Sequence, residues 1–268
     1  GLRTAKPGPV GIEWAHWRIE PNAQPIHWSA TEETPPIEAG AIVLTGCHDL
    51  QAGSGSWHSR GIRQTPGDGK PVAVYLPPKT RFAAANGHGE ILVVSAAQTP
   101  RPSMAEAPEP AQKPLLPMAG SNKAYNPATG TWDPIESFPD SPEAVPPRRM
   151  PTTDHSGIGW VEIFPHKFKA ADLSLAETTL PAGAWPIPNL GNAAATVAAG
   201  DGSRRGIYLR PLDHGGTVEL RCADGDEITW TADSGGADLI VYCEDGERPR
   251  LITSGPTYAL LAEFGKPA

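Results

Sequence analysis

The sequence has few cysteines, and their arrangement excludes two classes of protein. The three cysteines, Cys47, Cys222 and Cys243, are odd in number and lack CxxC spacing. Neither a disulfide framework nor a zinc cluster is therefore expected. Cys222 and Cys243 could pair across neighbouring strands, but buried thiols are the preferred interpretation. A reducing cytoplasm or an assembled particle is favoured over disulfide-rich secretion.

Charge is also scarce, and its balance is acidic. Charged residues make up 19% of the 268 residues, the formal net charge is −8, and Lys and Arg form no cluster larger than a pair. Nucleic acid is not expected as a partner, because neutralising phosphates requires a basic face. No apolar run approaches the roughly 18 residues of a membrane-spanning helix, so no membrane association is expected. The chain begins Gly-Leu-Arg without Met, which indicates a processed or trimmed start.

Proline and glycine, in contrast, are abundant, at 31 and 29 residues. Proline interrupts nearly every candidate helix, and no stretch of about ten residues has helical periodicity. Short strand-like runs separated by turns remain, which are typical of an all-β barrel or sandwich. In the first block we expect a tight hairpin turn at Asn86-Gly87. The runs of that block are Trp14–Ile19, Ala41–Thr45, Val72–Leu76 and Ile91–Ser95.

The second block also consists of short strand-like runs separated by turns. The alternation in Thr217–Cys222 predicts one buried face and one solvent-facing side. We therefore predict two β domains, at residues 1–98 and 156–268, each the size of a small barrel. The runs of the second block are Gly159–Phe164, Leu173–Leu180, Gly206–Leu209, Thr217–Cys222, Glu227–Thr231, Asp238–Cys243 and Tyr258–Phe264.

The connection between the domains, residues 99–155, is rich in proline. Thirteen prolines fall between residues 99 and 151, so this segment is predicted to be extended, polyproline-like chain with turns. The stretch from Asn126 to Trp132 could form a small hairpin. A flexible linker is one interpretation. An arm that packs on its own domains or on a partner is the preferred one, because proline-stiffened chain offers much contact area at little ordering cost.

Parts of the first block resemble a known family. The resemblance covers residues 14–98 and points to the N-terminal half of 5-deoxyglucuronate isomerases, which are bicupins of inositol catabolism. The segment Leu173–Trp185 resembles, more weakly, the strand that enters the second barrel of that family. The resemblance implies two cupin-like, jelly-roll barrels. It is seen in Ile42–Gly46, Arg60–Arg63, Gly69–Pro71, Val74–Pro78 and Glu90–Ala97.

The resemblance does not extend to the family's metal ligands. Cupin enzymes hold a divalent metal with a His-x-His pair, a carboxylate and a later His, which project inward from neighbouring strands. The first pair should follow Trp185, where Pro186–Asn192 contains no His, and the later ligand falls near Gly236. In the first barrel the same motif places Phe82 at a ligand position. We therefore predict no catalytic residues, no metal and no cofactor.

Two sets of residues remain as candidate sites. His48, His58 and His88 could converge on a metal if the first barrel folds as expected, although turn histidines facing solvent are the preferred interpretation. The indoles of the first block could bind sugar rings, or they could fill a barrel end. These binding candidates are Trp14, Trp17, Trp28 and Trp57.

Two functions follow from these patterns. The preferred one is a non-catalytic binding or assembly module on a degenerate bicupin-like scaffold, such as a decorating or connecting subunit of a virion or other particle. Its partners would be protein subunits, in a homo- or hetero-oligomer held by the proline-rich arm, with carbohydrate as another possible ligand. The alternative is a sugar-acid (aldose–ketose) isomerase-like cupin enzyme with an unrecognised site in the first barrel.

Overall fold

The computed structural model describes fourteen ranges of the chain, and every regular element in them is a β-strand. No helix in the described part of the chain is long and apolar enough to cross a membrane. The described ranges are 2–4, 11–29, 36–53, 55–58, 63–68, 71–97, 123–126, 131–134, 160–164, 173–187, 204–221, 227–231, 238–243 and 250–264.

Strands follow one another through these ranges, and several coincide with the predicted runs. The strands are β1 (Leu2–Thr4), β2 (Ile12–Ile19), β3 (Ile26–Ser29), β4 (Ile37–Ala52), β5 (Gly55–His58), β6 (Val72–Leu76), β7 (Arg81–Ala97), β8 (Lys123–Asn126), β9 (Thr131–Pro134), β10 (Val161–Phe164), β11 (Ser174–Leu180), β12 (Gly183–Pro186), β13 (Arg204–Pro211), β14 (Thr217–Arg221), β15 (Glu227–Thr231), β16 (Asp238–Cys243), β17 (Arg250–Thr253) and β18 (Thr257–Phe264).

The chain forms two compact units. The N-terminal unit comprises Glu13–Pro147 and Lys167–Leu173, and the C-terminal unit comprises Gly1–Ile12, Arg148–His166 and Ser174–Ala268. The predicted domain boundaries, near residues 98 and 155, lie outside the described residues and stay predictions. Most of the proline-rich connection also lies outside them, but the hairpin predicted there is present as the β8–β9 pair.

The N-terminal unit is organised around two long strands. β4 and β7, of 16 and 17 residues, pair antiparallel from Ile37 opposite Ala97 to Ala52 opposite Phe82. β6 pairs with the first half of β4 and β5 with its second half, while β2 and β3 pair with β7. The register shifts twice between β4 and β7, and bulges of this kind bend a strand pair and increase its twist.

The predicted hairpin turn at Asn86-Gly87 is wrong. Both residues lie inside β7, at the second of these register shifts. Asn86 has a φ of 50°, and a Cβ on Gly87 would lie 2.0 Å from the Cys47 carbonyl oxygen. Asn and Gly, which favour a type I′ turn, therefore form part of a β-bulge here. Asn86 adopts a positive φ, and the missing side chain of Gly87 lets the backbone of β4 approach closely.

The C-terminal unit contains two sheets. One has the strand order β1-β16-β13-β18-β11-β10, and the other has the order β12-β17-β14-β15. β1 pairs parallel with β16, and the other described pairs of this unit are antiparallel. β14 alternates as predicted, with Val218 and Leu220 buried and Thr217 and Glu219 partly exposed.

Each unit also contains a buried hydrogen bond between a tyrosine and a glutamate. The Tyr75 hydroxyl donates to Glu38 Oε2 at 2.7 Å in the N-terminal unit, and the Tyr258 hydroxyl donates to Glu177 Oε2 at 2.7 Å in the C-terminal unit. All four residues are at most 3% exposed. Burial of a carboxyl group requires such partners, because an unsatisfied one would be costly.

Candidate functional site

The interior of the N-terminal unit is where the resemblance would place a site, and it is lined by apolar side chains. Strand alternation brings one face of β4, β6 and β7 onto a common core. Four further side chains, those of Trp17, Ile26, Trp28 and Val72, are partly buried and pack against it. The core residues are Ile19, Ala39, Ala41, Val43, Leu50, Ala52, Val74, Leu76, Phe82, Ala84, Ile91 and Val93, all at most 4% exposed.

Phe82, at the position where the resemblance implies a metal ligand, is part of this core. It is 1% exposed and lies opposite Ala52 on β4 and opposite Trp28 on β3. The next inward row of the same strands contains Ala84, Leu50 and Ile26. None of these side chains has a donor atom for a cation, so this part of the interior does not fit a cupin metal centre.

The four candidate tryptophans do not form one group. Trp17 and Trp28 pack against the core of the N-terminal unit. Trp14 lies on the other face of β2, because side chains alternate along a strand. Trp57 is opposite Leu50 in the β4–β5 register, and its side chain lies outside the described residues. Core packing therefore accounts for two of the four indoles, while Trp14, on the opposite face of β2, is partly buried and its Nε1 atom is shielded from solvent.

The three candidate histidines are near one another in register but differ in environment. His88 lies opposite Cys47, and His58 lies opposite Asp49. His48 falls between these pairs and is fully buried, whereas His88 is exposed. The side chain of His58 is not among those described. Within the described ranges, no three His, Cys, Asp or Glu side chains are grouped to hold a metal. The solvent-facing interpretation fits His88 and is wrong for His48.

His48 faces the core of the N-terminal unit. Along the end of β4, Gly46, His48, Leu50 and Ala52 are buried, and the residues between them are partly or fully exposed. The His48 Nε2–H donates to the Thr45 carbonyl at 3.2 Å. Nδ1 has no hydrogen-bond partner among the described residues. Since a carbonyl only accepts, Nε2 carries the proton of the neutral ring and Nδ1, which is buried, does not.

Burial is the main reason that the pKa of His48 is lowered from its ordinary value of 6.5. The bond to the Thr45 carbonyl opposes this by favouring the charged ring. Nearby His88 lowers the pKa further, and Asp49 raises it. The net effect keeps the imidazole neutral, because the charged form loses water on burial and gains too little in return.

A second polar pair lies on the outer face of the same sheet. His16 Nε2 is 3.3 Å from Glu90 Oε2, and the two side chains are 14% and 16% exposed. Glu90 is opposite Thr45 on β4. Sequence analysis did not identify this pair, because 74 residues separate its members and no local pattern relates them.

The C-terminal unit also has an apolar interior. Trp185 and Ile187 pack against its core, and the indole Nε1–H of Trp185 donates to the Pro181 carbonyl at 2.8 Å. A Cβ on Gly183 would lie 2.7 Å from the Trp185 ring, so the indole rests directly on this glycine. The core residues are Trp160, Ala176, Leu180, Ile207, Leu209, Val218, Leu220, Leu239, Val241, Cys243, Leu251, Ala259 and Leu261.

Comparisons with known proteins give matches among solved structures. No protein-family model matches the sequence, and no curated protein matches it. An IolB-like protein from Salmonella typhimurium has a TM-score of 0.61 at 15% identity, over 96% of this chain and 84% of that chain. AerE from Microcystis aeruginosa has a TM-score of 0.49 at 11% identity, over 95% and 88%. Oxalate decarboxylase from Bacillus subtilis has a TM-score of 0.47 at 11% identity, over 97% and 70%.

The first of these likenesses, together with the all-strand architecture, establishes the fold. At 15% identity, the likeness to the IolB-like protein concerns the fold alone. The predicted fold class is therefore confirmed: this chain has an all-β, cupin-like fold.

Proposed function

We propose that this protein is a non-catalytic binding or assembly module on a degenerate, bicupin-like scaffold. The main support is the interior of the N-terminal unit, where Phe82 lies at the implied ligand position and is part of an apolar core. A cupin enzyme needs imidazole and carboxylate groups that project into this space. A core filled by alanine, valine, leucine and phenylalanine instead stabilises a scaffold.

The sequence of the C-terminal unit supports the same proposal. Residues 186–203, which follow the strand that resembles the entry to the second barrel, contain no histidine. Trp185 is fixed by its hydrogen bond to Pro181 and by its contact with Gly183. Imidazoles supply most of a cupin's metal ligands, and among the described residues of either unit no three His, Cys, Asp or Glu side chains are grouped to hold a metal.

Protein subunits are the partners that we propose, and the proline-rich segment is the contact that we propose for them. Thirteen prolines in residues 99–151 reduce the conformational entropy that such a segment would lose on binding. A decorating or connecting subunit of a virion or other large particle would use such a contact. Carbohydrate is the second ligand class, with Trp14 as the indole that lies away from the core.

One experiment separates this proposal from a metalloenzyme. We expect the purified full-length protein, loaded with Zn²⁺, Mn²⁺ or Fe²⁺ and then desalted, to retain no stoichiometric metal by plasma mass spectrometry. Light scattering on the same sample should give a mass above that of one chain. Stoichiometric metal that is lost in His48→Ala, His58→Ala or His88→Ala would contradict the proposal and favour the enzyme.

Deleting residues 100–150 tests the proposed contact. We expect the shortened protein to lose the oligomer in light scattering while its β-type circular dichroism is retained. A chain in which a Gly/Ser linker of equal length replaces these residues is the matched control, since it keeps the spacing of the units. If either variant assembles as the parent does, the segment is a linker and the contact lies elsewhere.

The second candidate function is a sugar-acid isomerase-like enzyme. The observation in its favour is the shared fold with an IolB-like protein over 96% of this chain. Its site would have to use groups outside the two apolar cores, such as His16 and Glu90 on the outer face of β2 and β7. Conversion of a uronic acid by the metal-loaded protein, abolished in Glu90→Gln, would establish it.

A further inference from the structure

His48 is held in the interior by close contacts between the backbones of β4 and β7. A Cβ on Gly46 would lie 1.7 Å from the His88 carbonyl oxygen, and a Cβ on Gly89 would lie 2.2 Å from the Thr45 carbonyl oxygen. A Cβ on Gly87 would lie 2.0 Å from the Cys47 carbonyl oxygen. The strands on either side of His48 therefore have no room to shift past one another. His48 is fully buried beside these contacts, so separation of the two strands would bring the imidazole to water.

The residues next to His48 on the inward face of β4 would not stabilise its protonated imidazole. Leu50 and Ala52, the next inward residues of β4, are apolar. Protonation would add a donor at Nδ1, which has no partner among the described residues. A buried cation without an acceptor is much less stable than the same cation in water.

The charged groups on the surrounding strands face elsewhere. Asp49, next to His48, is on the outer face, and its Oδ2 accepts a hydrogen bond from Asn86 Nδ2 at 3.1 Å. His88 adds repulsion once both rings are charged. Arg63, bridged to Gly46, donates to the carbonyls of Val43 and Asp68. Other titratable groups on these strands include Cys47, opposite His88, Glu38, bonded to Tyr75, Glu90, paired with His16, and His58, opposite Asp49 in β5.

We propose that the N-terminal unit is an acid-sensitive element, in which protonation of His48 opens the β4–β7 pairing while the C-terminal unit stays closed. The described part of the C-terminal unit contains one histidine, His214, and its side chain is exposed. Its protonation requires no opening. Acid therefore exposes the core around Leu50 and Phe82 selectively. This proposal does not depend on what the protein binds.

The direction of the pH effect follows from the two protonation states. In the open form His48 is in water and titrates near its ordinary pKa of about 6.5, whereas burial holds the pKa of the closed form lower. The open form therefore binds the extra proton. The opening equilibrium constant rises as pH falls below about 6.5, by up to about tenfold per pH unit, until the lower pKa is reached. Above about pH 6.5 it is constant with respect to this group.

Hydrogen exchange with mass spectrometry tests the proposal on the full-length protein. Opening constants, corrected for intrinsic exchange, are measured from pH 7.5 to pH 5.0 for amides of residues 44–50 and 84–91, and for β13 and β18 as reference. We expect the first group to open up to about tenfold more per pH unit below about pH 6.5. We expect the reference strands to show no such dependence.

Two substitutions keep the test decisive. His48→Gln removes the titrating ring and is expected to remove the pH dependence, while His27→Gln, at an exposed position of β3, is expected to retain it. Should His48→Gln fail to fold, carbon-13-labelled histidine in the parent gives the pKa of His48 directly by NMR. The proposal is overturned if the dependence survives His48→Gln, if the reference strands open equally, or if His48 titrates at or above its ordinary value.

Discussion

Gly46→Ala is expected to unfold the N-terminal unit or to destabilise it by at least about 4 kcal/mol, which exceeds the effect of most single substitutions. The new Cβ would lie 1.7 Å from the His88 carbonyl oxygen and 2.7 Å from the carbonyl carbon. Both atoms belong to the backbone of β7, so no side-chain rotation relieves the overlap. Gly46 also has a φ of 80°, a conformation that alanine disfavours.

Gly215→Ala is the matched control for this prediction. Gly215 has a φ of 76°, close to that of Gly46, but a Cβ there would have no atom within 4 Å. The Gly215→Ala substitution should lower the free energy of unfolding only by the cost of alanine at a positive φ, about 1–2 kcal/mol. Urea unfolding measures both variants, with exchange of β4 and β7 amides reporting on the unit that contains Gly46 and exchange of β13 and β18 amides reporting on the unit that contains Gly215. Equal losses of stability in the two would contradict the close approach at Gly46.

Local sequence patterns predicted many strands, because the information that defines a strand is local. Val72–Leu76 and Glu227–Thr231 match β6 and β15 residue for residue, since each is an apolar or β-branched run bounded by turn residues. Short strands such as Ile26–Ser29 and Arg250–Thr253 were not predicted. Four residues contain too little alternation to distinguish a strand from a loop.

The bulge and the buried histidine could not be predicted, because both depend on contacts between distant segments. Asn86-Gly87 favours a turn in isolation, but the approach of Cys47, about 40 residues earlier, makes it part of a continuous strand. The other register shift, between Val43 and Thr45, places His48 on the inward face with Leu50, although its neighbours in sequence are typical of a turn. At Phe82, where the resemblance implies a ligand position, the structure places an apolar side chain of the core.

Phe82→Ala is expected to destabilise the N-terminal unit by about 3–5 kcal/mol, the usual cost of removing a buried aromatic side chain. Phe82 is 1% exposed and packs between Trp28 and Ala52 on neighbouring strands. Ala52 is too small to fill the space that the ring leaves, so a cavity remains. Phe82→Leu, which retains most of the apolar volume, should cost well under half as much. Urea unfolding of the three proteins measures the difference.

Phe82 also distinguishes a filled core from a site whose ligand is merely absent. If the ring bordered an open ligand site, Phe82→Ala would enlarge that site and cost little, as for a substitution at the surface. Phe82→His provides the complementary test, because it restores an imidazole at the implied ligand position. The neighbouring Trp28 and Ala52 supply no further donor, so we expect this variant to bind no stoichiometric Zn²⁺ by calorimetry. Tight binding with the loss of one proton or more would show that other ligands are present nearby, and the scaffold would then be a metal site lacking a single residue.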